Sequence, residues 1–174
     1  MRTAYHIVAN PGRRSKSTLM RVRVRIARER DIAAIVALYR ELHPDNFAEL
    51  EVAPARMRAM FRRLARDRNH RILVAESARR IVGTVHLIVV PHLGHGLKPF
   101  AIVENVVVAA DARSLGVGEA MMEAATALAV RLGCYKLALT TNVRRMRAHR
   151  FYERLGWRRT HYGYSLAFVT PPSL

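Results

Sequence analysis

The chain has 174 residues, 51% of them hydrophobic, and a formal charge of +17. That length suits one domain with its own core, and the composition excludes a disordered chain; no apolar run reaches the ~18 residues of a membrane span. A single cysteine, Cys134, cannot form an internal disulfide framework. No exported-leader pattern opens the sequence, so a reducing, cytoplasmic setting is expected.

Residues 1–20 read as a polar, basic arm, since Asn10-Pro-Gly-Arg-Arg-Ser-Lys-Ser-Thr18 carries turn formers and no acid. A single domain is expected over 21–170, with 171–174 as a tail. Arg21-Val-Arg-Val-Arg-Ile26 alternates with period two and predicts a strand. Ile32, Ile35, Val36, Leu38 and Tyr39 keep helical spacing after Asp31, and Leu42-His-Pro-Asp-Asn-Phe47 ends that helix. A second helix is predicted from Pro54, a favourable first-turn residue, to Asp67. Arg71–Glu76 and Ile81–Val90 read as a strand pair, and Pro91–Pro99 as a loop. Ile102–Val108 is a buried-strand run, followed by a turn at 109–112 and a helix over Glu119–Leu132 that stops at Gly133. Tyr135–Thr141 reads as a strand and Arg144–Leu155 as a helix closed by Gly156. Trp157–Thr160 and Tyr164–Phe168 read as final strands.

The strand-to-helix junction carries the most chemistry. Arg113-Ser-Leu-Gly116-Val-Gly118 lets the backbone approach a ligand closely where the side chains are missing. Helix-opening amides and the positive end of the helix dipole then favour an anion, here a pyrophosphate. The amides from Ser114 through Leu115, Gly116, Val117 and Gly118 to Glu119 are the expected cradle, and Arg113 either touches phosphate or ties the turn by a salt bridge. A dinucleotide fingerprint needs a third glycine and a later acid, and a Walker loop needs a Gly-Lys-Ser/Thr ending. Both are absent.

Arg113-x-x-Gly116-x-Gly118, the strand Glu104-Asn-Val-Val-Val108 before it, and Phe151-Tyr-Glu-Arg-Leu-Gly-Trp157 after it resemble the signatures of the GNAT superfamily of N-acetyltransferases. The resemblance spans roughly residues 21–168. It implies an α+β, α/β/α sandwich with a mixed, mostly antiparallel sheet of six to seven strands, splayed where the acyl-CoA arm lies. It also implies acetyl-CoA as co-substrate, a primary amine as acceptor, and transfer by direct attack through a tetrahedral intermediate. Backbone amides of Val106, Val107 and Val108 would orient the pantetheine and polarise the thioester carbonyl. Tyr152 stands where a phenol protonates the departing thiolate, or else packs beside Phe151 and Trp157. Glu104, the one acid between Glu76 and Asp111, stands where a carboxylate takes the amine's proton directly or through water, or else pairs with an arginine. Tyr39, His43, Asn46, Phe47 and Asn105 are the expected acceptor-side residues. His92 and His95 are second-rank candidates, and no spacing suggests a metal.

Some residues also resemble glucosamine-6-phosphate N-acetyltransferases, notably Glu104–Val108, Gly133-Cys-Tyr-Lys136 and Phe151-Tyr-Glu153. Asn105 replaces their Asp, however, and Thr140-Thr141-Asn142 replaces an acid-bearing segment. Late strands in the superfamily often pair across a dimer, so a homodimer is expected. Two other classes compete. A basic nucleic-acid-binding module would account for the charge but leaves the glycine turn unused; all basic residues except Lys16, Lys98 and Lys136 are dispersed arginines, which predicts only nonspecific, salt-sensitive binding. A noncatalytic CoA-sensing domain would keep the turn and leave Glu104 and Tyr152 without a task.

Overall fold

A computed structural model describes residues 21–42 and 52–166. Alternating Val and Ile residues form four long or medium strands, β1 (Arg23–Ile26), β2 (His70–Ser77), β3 (Arg80–Val90) and β4 (Phe100–Val108); a short β5 (Leu137–Ala138) completes the sheet. The order is β1-β2-β3-β4-β5, antiparallel except for the parallel β4–β5 pair. Helices α1 (Ile32–Leu42) and α2 (Pro54–Arg66) precede β2, α3 (Val117–Arg131) follows β4, and α4 (Met146–Arg154) follows β5.

Strand alternation sorts the sheet into two faces. Ile72 and Val74 of β2 lie beside His86 and Thr84 of β3, and Val74 packs with Ile35 of α1 and Phe61 of α2. The opposite face meets α3: a Cβ on Gly83 would stand 2.8 Å from Met121 Sδ, so glycine lets that helix lie close on β3. Met121, Met122 and Ala125 of α3 are buried there with Val85, Leu87 and Val103. Helices on both faces make the α/β/α sandwich that the resemblance implied.

A buried ionic knot fastens the first elements together. Arg25 of β1 donates to Asp31 through Nη1 (2.6 Å) and Nη2 (3.0 Å), and to Glu76 of β2 through Nε (2.8 Å). The Arg28 amide donates to Asp31 Oδ2 at 2.7 Å, which fixes the chain where it turns into α1.

Three element readings change. The strand read over Tyr135–Thr141 shrinks to Leu137–Ala138, the two residues that pair with β4, at Ala101 and Ile102. Residues 157–166 form no strand, so five strands replace the expected six to seven among the described residues; Tyr162, Tyr164 and Leu166 are exposed. The part of the last predicted strand at 167–168 lies outside the described residues, as does the arm at 1–20. The helix after the glycine turn starts two residues early, at Val117.

Candidate active site

β4 is built to open the sheet. Val107 pairs with Thr84 and Glu104 with His86, so Asn105 and Val106 together face Val85 across a β-bulge. Asn105 sits at φ 52, a left-handed conformation that Asn tolerates better than most residues. On its other edge β4 pairs with β5 only through Ala101–Leu137 and Ile102–Ala138. Beyond those pairs the chains part, leaving a cavity of about 240 Å³. Val103–Val106 form one wall and Thr140–Asn142 the other. Leu42 of α1 and Arg145, Ala148 and Tyr152 at α4 close the ends.

Glu104, Asn105, Val106 and Tyr152, four of the sequence-predicted residues, therefore share one cleft. Tyr152 is wedged between aromatic rings, its centroid 5.1 Å from that of Phe151 and 5.9 Å from that of Trp157. Burial raises its phenol above the usual range, with Glu104 pushing the same way and Arg145 opposing. The outcome is a phenol that holds its proton near neutrality, as a donor must. Tyr39 of α1 lies behind the cleft with its hydroxyl beside the Asn105 side chain; burial pushes its pKa up to about 12, with Asn105 opposing. Two expected acceptor-side residues, far apart in sequence, thus meet at the bulge. His43, Asn46 and Phe47 lie outside the described residues.

The loop from Arg113 to Gly118 is shaped by backbone. Ser114 (φ 64) and Gly116 (φ 83) are both left-handed, and Gly116 caps α3. The first amides of α3, from Val117 to Glu119, have no intrahelical acceptor and point out of the helix end. Gly118 serves packing: an added Cβ would lie 3.0 Å from Phe151 Cζ, so the loop rests against the ring beside Tyr152. Leu115 is half-buried in the same turn. Arg113 donates from Nε to the Val108 carbonyl (3.0 Å) and from Nη2 to Glu41 (3.2 Å). Glu41 also accepts from the Ala110 amide at 2.9 Å. The salt-bridge alternative for Arg113 is therefore realised, with an acid from α1. Of the strand valines, Val107 is buried while Val106 and Val108 are half-buried, which leaves their main chain as the available recognition surface.

His92 and His95 stand apart from the cleft. They form a ring cluster with Tyr135 and Phe100, with His95 stacked 4.1 Å from Tyr135. His149 bonds through Nε2 with the Asn142 carbonyl at 3.0 Å, so it braces the far wall. Among the described residues no group of three or more His, Cys, Asp or Glu side chains could hold a metal. Sequence reading did not pick out Leu42 or Glu41, although both follow Tyr39 and Leu38 at helical spacing and share their side of α1.

The family model for the acetyltransferase (GNAT) family matches residues 32–157. The chain belongs to that family, and its class is that of an N-acetyltransferase. Among solved structures, a protein of Agrobacterium tumefaciens str. C58 assigned as an acetyltransferase is 28% identical, with a TM-score of 0.78 over 84% of this chain and 99% of that one. A transcriptional regulator from Bacillus halodurans C-125 is 29% identical, with a TM-score of 0.75 over 84% and 99%. Glucosamine-6-phosphate N-acetyltransferase from Arabidopsis thaliana shares the fold at 20% identity, with a TM-score of 0.75 over 85% and 99%. No curated protein matches the sequence.

Proposed function

We propose that the chain transfers the acetyl group of acetyl-CoA to a primary amine of a small molecule or peptide, by direct attack through a tetrahedral intermediate. The observation that carries this reading is the placement of Glu104 and Tyr152 in one cleft, beside strand amides that β5 leaves unpaired. The left-handed Gly116 and the open first turn of α3 fit a pyrophosphate held by Ser114–Glu119. The splayed edge of β4 fits a pantetheine arm running past Val106–Val108.

Each residue then has one task. Glu104 takes a proton from the acceptor's ammonium group, directly or through water, leaving a lone pair free to attack. A β4 amide donates to the thioester oxygen as negative charge grows there. Tyr152 gives its proton to sulfur as the C–S bond breaks, the N–C bond remains, and the second proton that the nitrogen sheds as the amide forms returns to the phenolate. Tyr39 and Asn105 hold the acceptor end. Arg145 presents a cation at the cleft, which supports acceptors carrying phosphate or carboxylate; glucosamine 6-phosphate is one such compound.

A homodimer belongs to the same reading, supported by the exposed Tyr162, Tyr164 and Leu166 in a chain segment without a strand partner. A cytoplasmic location is part of it as well. No helix among the described residues is long and apolar enough to cross a membrane.

Acetyl-CoA turnover over glucosamine 6-phosphate, kanamycin, spermidine and an alanyl peptide tests the proposal. At least one amine should be acetylated, with Glu104→Gln and Tyr152→Phe each lowering kcat by about 10²–10⁴-fold while CoA still binds. CoA binding without turnover of any amine would favour the sensing reading. Absence of heat on titration with CoA would remove the enzyme reading altogether.

A further inference from the structure

Each acetyl transfer from a thioester to an ammonium group releases one net proton. The proton that Glu104 takes must leave the site before the next turnover. The sheet behind it holds groups that the transfer step leaves unused. His86 of β3 is the cross-strand partner of Glu104, so both side chains project from the same face with Cβ atoms about 5 Å apart. His86 is 9% exposed. Its Nε2 lies 2.9 Å from Nδ1 of His70 on β2, with the rings 5.0 Å apart. His70 Nε2 in turn lies 3.9 Å from Asp67 Oδ2. Both line a second cavity, of about 270 Å³, that opens beyond β2.

A buried imidazole costs free energy that an apolar side chain would not, and the neighbours Val85 and Leu87 show that this strand accepts apolar residues. The 2.9 Å contact requires one ring nitrogen to donate and the other to accept, so the two rings are joined by a single N–H···N bridge along which a proton can pass. His70 from β2 is in contact with the His86 ring, and Glu104 of β4 occupies the register position opposite it. Burial, aided by His70, pushes the His86 pKa down to about 4, so the ring passes a proton at neutral pH without retaining it.

We propose that His86 and His70 form a proton exit leading from Glu104 to solvent at the Asp67 side of the sheet. The protonated Glu104 carboxyl gives its proton to His86 Nδ1, directly or through one water. His86 releases the proton on Nε2 to His70 Nδ1, and His70 releases its Nε2 proton to water beside Asp67. One proton enters and one leaves each ring, and Glu104 returns to the carboxylate; each ring ends in its other tautomer and exchanges N–H protons with water to reset before the next turnover. His86 and His70 are positioning and relay residues, and the inference rests on Glu104 acting as the base.

The full chain is assayed with acetyl-CoA and the panel amine that turns over fastest. His70→Ala, at a partly exposed position, should lower kcat on the order of 10-fold with both KM values nearly unchanged. Free imidazole, admitted through the second cavity, should restore the rate in a saturable manner. His86→Gln keeps hydrogen-bonding capacity but cannot exchange tautomers; it should lose rate similarly and resist imidazole. Unchanged kcat in both variants, or a His70→Ala defect that imidazole leaves in place, overturns the exit. Glu104→Gln separates the two readings: full activity there removes the base assignment, whereas its inactivity alongside normal histidine variants removes only the exit. Ring-nitrogen NMR supplies a readout without an acceptor. Glu104→Gln should move the His86 and His70 resonances together, and no movement of either overturns the proposal.

Discussion

Gly116 and Gly118 are alike in the sequence and differ in what they do. Gly116 needs its φ of 83, which costs any residue with a Cβ roughly 1–2 kcal/mol. Gly118 needs only space, because Phe151 occupies the volume a methyl group would take. Gly116→Ala is therefore expected to lower unfolding free energy by about 1–2 kcal/mol and to weaken CoA binding through a displaced helix cap. Gly118→Ala should move Phe151 by a few tenths of an ångström and reduce kcat more than CoA affinity, since Phe151 is in ring contact with Tyr152. Thermal melts and CoA titrations on the two variants check this split. Ser114 already bears the left-handed penalty at φ 64, a conformation that glycine would adopt without it.

Between elements, the C-terminal turn of α1 is latched to the loop after β4. Glu41 accepts from both the Ala110 amide and Arg113, and Arg113 also holds the Val108 carbonyl. Both side chains are largely exposed, so the pair should contribute no more than about 1 kcal/mol. Glu41→Ala, Arg113→Ala and the double variant are expected to lose similar stability, and CoA affinity should change less than the coupling between them. A large, independent loss of CoA affinity in Arg113→Ala would return that arginine to the phosphate. The same region shows what a sequence can carry. The β4–turn–α3 unit and Phe151-Tyr152 were legible because hydrophobic period, glycine position and helix capping are local properties. β5 reads longer in the sequence than it is, and Trp157–Thr160 and Tyr164–Leu166 read as strand but form none, because a strand exists only where the backbone is paired. The bulge was hidden in Asn105, and the meeting of Glu104 with His86 depends on a register that no local pattern states. Tyr39 was legible as an acceptor-side residue, but its bond to Asn105 was not.

At the scale of the molecule, burial and ion pairing fix how the fold responds to acid. His86 has its pKa lowered from 6.5 to about 4, so between those values the unfolded chain binds the extra proton and the folded chain resists it. Stability is thus complete above pH 6.5, falls as pH drops toward 4, and gains no further loss from this group below that. Solvent access on the His70 side discounts the full shift, leaving a loss of roughly 1–3 kcal/mol. Asp31 acts in a lower window. Arg25 holds its carboxyl below the usual carboxylate range against the opposing effect of burial, so its contribution is present above about pH 4 and disappears as the carboxylate protonates in the folded state. Acid unfolding should therefore begin with His86 and steepen with Asp31, while the +17 charge adds a repulsion that salt screens. Urea unfolding at pH 7, 5 and 4 in constant salt separates these contributions. His86→Leu should remove the decline between pH 7 and 4, leaving the steeper loss below. An equal decline in that variant would assign the acid response to general charge repulsion.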